Sequence, residues 1–153
     1  MSVELTDAKV EDIVRNFVLA IVDQDVEKGL SYLAADAQLF APEGAFEGKE
    51  DVGQYLNWLI DRESKVEVVD DEEGVGVITE GERASYECLI RGLFKGVEDI
   101  AANFVFQLRE DGKIKRIRVI YDRVGVIDDM AHGWLGRRVI GSIIRELEEG
   151  LAG

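Results

Sequence analysis

The chain is poor in the residues from which chemistry is most simply built. It has one cysteine, Cys88, one histidine, His132, and one proline, Pro42. A lone cysteine makes no intrachain disulfide, which suits a reducing setting and leads us to expect a cytoplasmic protein. A lone histidine excludes a multi-histidine metal centre, and neither a metal nor a cofactor is expected. Bases are scarce beside acids: 18 Lys and Arg against 32 Asp and Glu leave a net charge of −14. Nucleic-acid binding releases counterions from phosphates against a basic surface, so no nucleic-acid partner is expected. Anionic lipid is excluded as a docking surface on the same ground. The acidity itself reads as a device for solubility. Long apolar runs are missing as well. Phe17 to Val22 and Val139-Ile140 fall far short of the ~20 residues that cross a bilayer, so no membrane partner is expected. Glu4, Asp7, Glu11 and Asp12 stand where a secretory leader would carry a basic flank and an apolar stretch. No glycine loop cradles a phosphate, because Gly74-Val75-Gly76 leads into a strand with no helix behind it. The acidic stretch Asp70 to Glu73 lacks the spaced ligands of a calcium loop and reads as a solvated hairpin tip.

What is present is enough for one core. A hydrophobic fraction of 46% over 153 residues supports a single domain, and no Ser/Gly linker or repeat divides it. A helix is expected over residues 7 to 22, with Val10, Ile13, Val14, Phe17, Val18 and Ile21 on one face and Thr6 or Asp7 as its cap. A second is expected from Val26 to Leu33 behind Asp25. A third spans about 49 to 61, with Val52, Tyr55, Leu56, Leu59 and Ile60 as its buried stripe. Trp58 lies off that stripe, at a rim or interface.

From Lys65 the period changes to two. Lys65 to Val69 and Val75 to Glu80 read as a hairpin, followed by strands over Ala84 to Phe94, Asp99 to Arg109 and Lys113 to Arg123. Alternation puts Tyr86, Cys88, Ile90, Ala102, Phe104, Phe106, Leu108, Ile117, Val119 and Tyr121 on one face. The opposite face carries Leu89, Leu93, Val105 and Ile120 among charges, which invites pairing with a second copy of the chain. The tail from about 126 to 151 reads as a helix that is firm only in its second half, since Gly133, Gly136 and Gly141 weaken its first.

Two helices, a short strand ending in Ala41-Pro42-Glu43-Gly44, a helix after Gly48, then long antiparallel strands resemble the nuclear-transport-factor-2-like superfamily. Within it the chain is most similar to the SnoaL-like and ketosteroid-isomerase-like proteins. The resemblance is carried by Val14 to Asp25, Leu33 to Leu59 and the strand Gly112 to Asp122. It implies an α+β, cystatin-like roll in which a strongly curved antiparallel sheet and the N-terminal helices close a conical, mostly apolar pocket. The single domain covers 1–153, with its core over about 7–123 and the C-terminal helix as an addition. In the isomerase branch an aspartate base stands directly before the proline of the turn; here that position is Ala41. By the same resemblance, the oxyanion-binding tyrosine falls on Phe17, the partner acid on Phe104, and the supporting tyrosines on Leu33 and Leu56. Steroid isomerisation by that route is not expected. What the resemblance leaves is a small, largely apolar ligand and, if the protein is an enzyme, a cofactor-free isomerase, cyclase, dehydratase or hydrolase with no identifiable base.

The ligand pocket is expected to involve Phe17, Tyr55, Tyr86, Cys88, Phe104, Phe106, Val119 and Tyr121. Tyr86 and Tyr121 would orient a ligand carbonyl or hydroxyl, or else be hydrogen-bonded core tyrosines. Cys88 reads as a buried structural thiol, because nothing near it in sequence lowers its pKa. His132 and Trp134 flank Gly133 behind the last strand. They are lid candidates, or an exposed histidine beside a packing tryptophan. The rival class is a protein-interaction module, a dimeric scaffold whose pocket is filled by Phe17, Phe104, Phe106 and Trp58.

Overall fold

The computed structural model describes residues 4–60, 67–70, 76–92, 99–121 and 145. Helix α1 spans Asp7–Val22, starting where the Thr6 side chain accepts from the Lys9 amide. Its stripe of Val10, Val14, Phe17, Val18 and Ile21 is buried. Helix α2, Val26–Ser31, begins at Asp25, whose carboxylate takes the Lys28 amide at 3.0 Å. It stops short of Leu33, because Leu33 pairs with Ile114 and opens strand β1, Leu33–Ala41. The helical period of the segment gives way to sheet pairing.

Strand β1 turns through Pro42-Glu43 into β2, Gly44–Glu47, which the sequence suggests only as part of a turn. Helix α3, Gly48–Ile60, follows with no intervening residue. Gly48 has a φ of +83°, a conformation that costs a residue with a Cβ and lets the strand turn directly into the helix. Val52, Tyr55 and Leu56 are its buried residues on the expected stripe.

The remaining strands are β3 (Glu67–Asp70), β4 (Val77–Glu80), β5 (Arg83–Arg91), β6 (Asp99–Leu108) and β7 (Ile114–Tyr121). Together with β1 and β2 they make one seven-stranded sheet in the order β2-β1-β7-β6-β5-β3, with β4 also on β5. The expected hairpin between the third and fourth strands is corrected here. Both pair with β5: Val68 stands opposite Ile90 and Ile78 opposite Ser85, so the two short strands share one long neighbour. The tight turn of this region is Gly81-Glu82, between β4 and β5.

The sheet is curved and does not close. Register shifts lie between Leu33 and Gln38 in β1 and between Gln107 and Leu108 in β6, and such irregularities bend strands. The alternation read from sequence appears as burial. Tyr86, Cys88, Ile90, Ala102, Phe104, Phe106, Ile117 and Val119 are buried toward the helices, whereas Val105, Arg116, Arg118 and Ile120 are exposed. Phe17 of α1 meets Phe106 of β6 edge to face, with ring centroids 5.9 Å apart. His132, Trp134, the segment Asp71 to Gly74 and, apart from Arg145, the expected tail helix lie outside the described residues.

Candidate functional site

Strand pairing builds the site. β1 and β7 run parallel with Phe40 opposite Arg118, which brings the turn after β1 close to the end of β7. Position 43 is the turn glutamate that leaves β1, and position 121 is the tyrosine that ends β7. The Tyr121 hydroxyl donates to Glu43 Oε1. From the other side α3 packs on β1 and brings up Tyr55, whose hydroxyl donates to Glu43 Oε2 at 3.2 Å. One carboxylate is thus held by two phenols from two different elements. The Tyr55 ring is fixed in turn by Phe46 of β2, centroids 4.6 Å apart, and by Trp58, centroids 5.7 Å apart. Trp58 is 43% exposed, which puts it at a rim and leaves the pocket interior to other side chains.

Tyr55 and Tyr121 also line an apolar pocket. Phe17 and Ile21 of α1 and Leu56 and Leu59 of α3 form one wall. Leu39, Ile90, Phe104, Ile117 and Val119 of the sheet form the other. Its volume is about 30 Å³, room for a water or two. Of the residues expected to form the pocket, the fold brings Phe17, Tyr55, Phe104, Val119 and Tyr121 together here. It puts Tyr86 in a different groove of about 390 Å³ with Val18, Leu19, Val22, Val68 and Val69, where the Arg15 guanidinium lies 5.5 Å from the Tyr86 ring centre. Cys88 and Phe106 are packed in the core, 0% and 1% exposed. Ala41 ends β1 beside the turn, and Leu33 is buried.

Charge elsewhere follows the surface. Arg91 and Asp99 close the β5–β6 ladder through two hydrogen bonds, 2.8 and 3.0 Å long. The hydrogen bond from Arg91 holds the Asp99 carboxyl below its ordinary 3.8, charge attraction adds to this, and partial desolvation opposes it. The pair stands outside the pocket lining. Among the described residues no three His, Cys, Asp or Glu side chains come together as a metal site. No helix among them is long and apolar enough to cross a membrane. Glu43 was not singled out by the sequence pattern. Its partners are 12 and 78 residues away, and the parallel pairing that joins the farther one leaves no local periodicity to read.

These elements define an α+β roll of the nuclear-transport-factor-2-like, or cystatin-like, class. The chain belongs to the SnoaL-like family, whose domain matches residues 14–117. Among solved structures it is similar to a protein of ketosteroid isomerase-like fold from Catenulispora acidiphila, solved with trimethylamine. That pair has a TM-score of 0.66 and 16% identity, covering 76% of this chain and 90% of the other. A candidate polyketide cyclase of Xanthomonas campestris gives a TM-score of 0.65 at 18% identity, covering 80% and 96%. An NTF2-like protein of unknown function from Cytophaga hutchinsonii gives 0.62 at 20% identity, covering 82% and 98%. Likeness at these identities speaks for the fold alone. No curated protein matches the sequence.

Proposed function

We propose that this chain binds a small, largely apolar molecule between α1, α3 and the inner sheet face, without a cofactor, and pairs as a homodimer through the outer sheet face. One observation carries the reading: an apolar lining that includes two tyrosines, Tyr55 and Tyr121, whose hydroxyls both donate to the Glu43 carboxylate, a mostly apolar composition with few polar groups as small-molecule sites have. By analogy with the candidate polyketide cyclase and the isomerase-like fold among the similar structures, a reaction in this pocket would be a cyclisation or isomerisation. Steroid isomerisation through a base before the proline is not part of the proposal, since Ala41 offers no proton acceptor and Phe17 and Phe104 offer no donors. With about 30 Å³ free, a ligand enters only as rim side chains move aside. Half-buried Leu59 and Tyr121 are the lining side chains that would have to shift. The dimer reading is supported by exposed Val105 and Ile120 on the outer face.

The small volume favours a second reading, a non-catalytic interaction module whose pocket is filled by its own core. Native mass spectrometry of freshly purified protein separates the two. A dimer carrying a stoichiometric small-molecule increment is the outcome expected here. An adduct-free mass under gentle ionisation favours the interaction module, and a monomer contradicts the sheet-face pairing.

A further inference from the structure

We infer that the outer face of the sheet carries a second binding site, separate from the apolar pocket. It is a groove of about 370 Å³ between Arg83, Arg116 and Arg118 that takes a small dicarboxylate with an apolar body. It does not depend on the pocket reading above.

Strand register sets out the three cations. Gln38, Arg116, Gln107 and Arg83 stand side by side across β1, β7, β6 and β5. The neighbouring row on the same face is Phe40, Arg118, Val105 and Ser85. Arg116 and Arg118 are two residues apart on one strand, which puts their backbones roughly 7 Å apart. Arg116 and Arg83 have one strand between them, a separation of roughly 10 Å. The Arg116 guanidinium donates to Gln38 Oε1 at 3.1 Å. The guanidinium carbons of Arg116 and Arg118 each lie 5.8 Å from the Phe40 ring centre. Contact with one ring restricts two long side chains that would otherwise sample many rotamers, and so lowers the entropy lost when an anion binds.

Charge then selects the ligand. The chain has 32 acids to 18 Lys and Arg, yet among the described residues no carboxylate lines this groove. Arg15, Arg91 and Arg109 each pair with an acid, whereas Arg83, Arg116 and Arg118 pair with none among the described residues. Glu47 reaches the first row only through the Gln38 amide, which donates to it at 3.3 Å. Glu87 stands one row beyond Arg118, across Asn103 from Ile120. Guanidinium groups hold carboxylates through paired N–H···O contacts in a fixed plane, so three of them without acids favour an anion. Exposed Val105 and Ile120 add apolar surface to the lining. Two carboxylates joined by a hydrocarbon spine of roughly 7–10 Å match both the spacing of the cations and the apolar surface beside them. Val105 and Ile120 also support the pairing reading. Two copies apposed here would bring like charges together, and a bound dianion offsets that repulsion.

Titration calorimetry of the whole chain with suberate, a straight-chain dicarboxylate, tests this, with arginine Nε–H NMR signals reporting where it binds. Suberate should bind saturably, shift the Arg116 and Arg118 signals, and bind less tightly as NaCl screens the charges. Octanoate, of the same chain length with one carboxylate, should bind roughly fivefold or more weakly. Arg116→Gln and Arg118→Gln should each weaken suberate roughly 5- to 10-fold, as expected for losing a charge-assisted hydrogen bond near a surface. Arg91→Gln removes the same charge from an arginine already paired with Asp99, and should leave the affinity within about twofold. Loss in the Arg116 and Arg118 variants with retention in Arg91→Gln supports the inference. No saturable binding, equal loss in all three variants, or shifts confined to Leu56 and Ile117 of the inner pocket overturns it. Inorganic phosphate binding as tightly as suberate overturns the dicarboxylate assignment. Sedimentation of the same samples keeps the pairing reading apart. A monomer that binds suberate supports the anion site and removes the sheet-face dimer, whereas a dimer that binds none overturns the site alone.

Discussion

Position 41 is an alanine and position 43 a glutamate, two residues apart where β1 turns into β2. The alanine ends β1 as a half-buried packing residue, while the glutamate turns outward and collects two phenols. Side chains beneath them are packed as core. Phe106 is 1% exposed, edge to face with Phe17 and 6.3 Å from the Phe104 ring centre. Phe106→Ala should therefore destabilise the protein by about 3–5 kcal/mol in chemical unfolding, the range for removing a buried ring. A loss under about 1 kcal/mol would mean that the site collapses freely or that this packing is wrong. Much at this scale was legible beforehand. Local alternation already put Phe104, Val119 and Tyr121 on the inner face, since period two needs only the strand itself. The pairing of Glu43 with two tyrosines was not, because it depends on partners that only the tertiary fold brings near.

Among the elements, α1 and α3 appear close to where their apolar spacing puts them, Asp7–Val22 and Gly48–Ile60. What the pattern missed was pairing. The two short strands β3 and β4 lie on β5 instead of on each other, and β1 joins β7 in parallel across most of the chain. Alternation assigns faces and is silent on neighbours. The β5–β6 ladder ends in the exposed Arg91–Asp99 pair, which makes stability depend weakly on pH. Because hydrogen bonding lowers the folded Asp99 pKa beneath 3.8, its contribution is whole above that pH and is lost as the pH falls through the lowered value. Arg91→Met should cost a little stability at pH 7 and flatten the acid limb of the unfolding midpoint. An unchanged acid limb would show that the pair contributes nothing in solution. For the outer face, Val105→Glu should convert a dimer to monomer in sedimentation, because Val105 is 38% exposed at its centre beside Ile120 on β7. A dimer indifferent to that charge would remove the sheet face as the interface.

Taken as a whole, the molecule is an acidic roll whose helices and bent sheet enclose an apolar interior with one polar grip at its edge. Its net charge of −14 favours solubility and repels polyanions. The pocket holds only about 30 Å³, so the proposed ligand would have to displace side chains at the rim to enter. The most direct test is a methyl NMR titration of the whole chain with 5-nitrobenzisoxazole. The account predicts saturable shifts concentrated on Leu56, Leu59, Ile117 and Val119. Methyl signals at these positions that stay unmoved at saturating probe, or shifts confined to Val105 and Ile120 on the outer face, would contradict it.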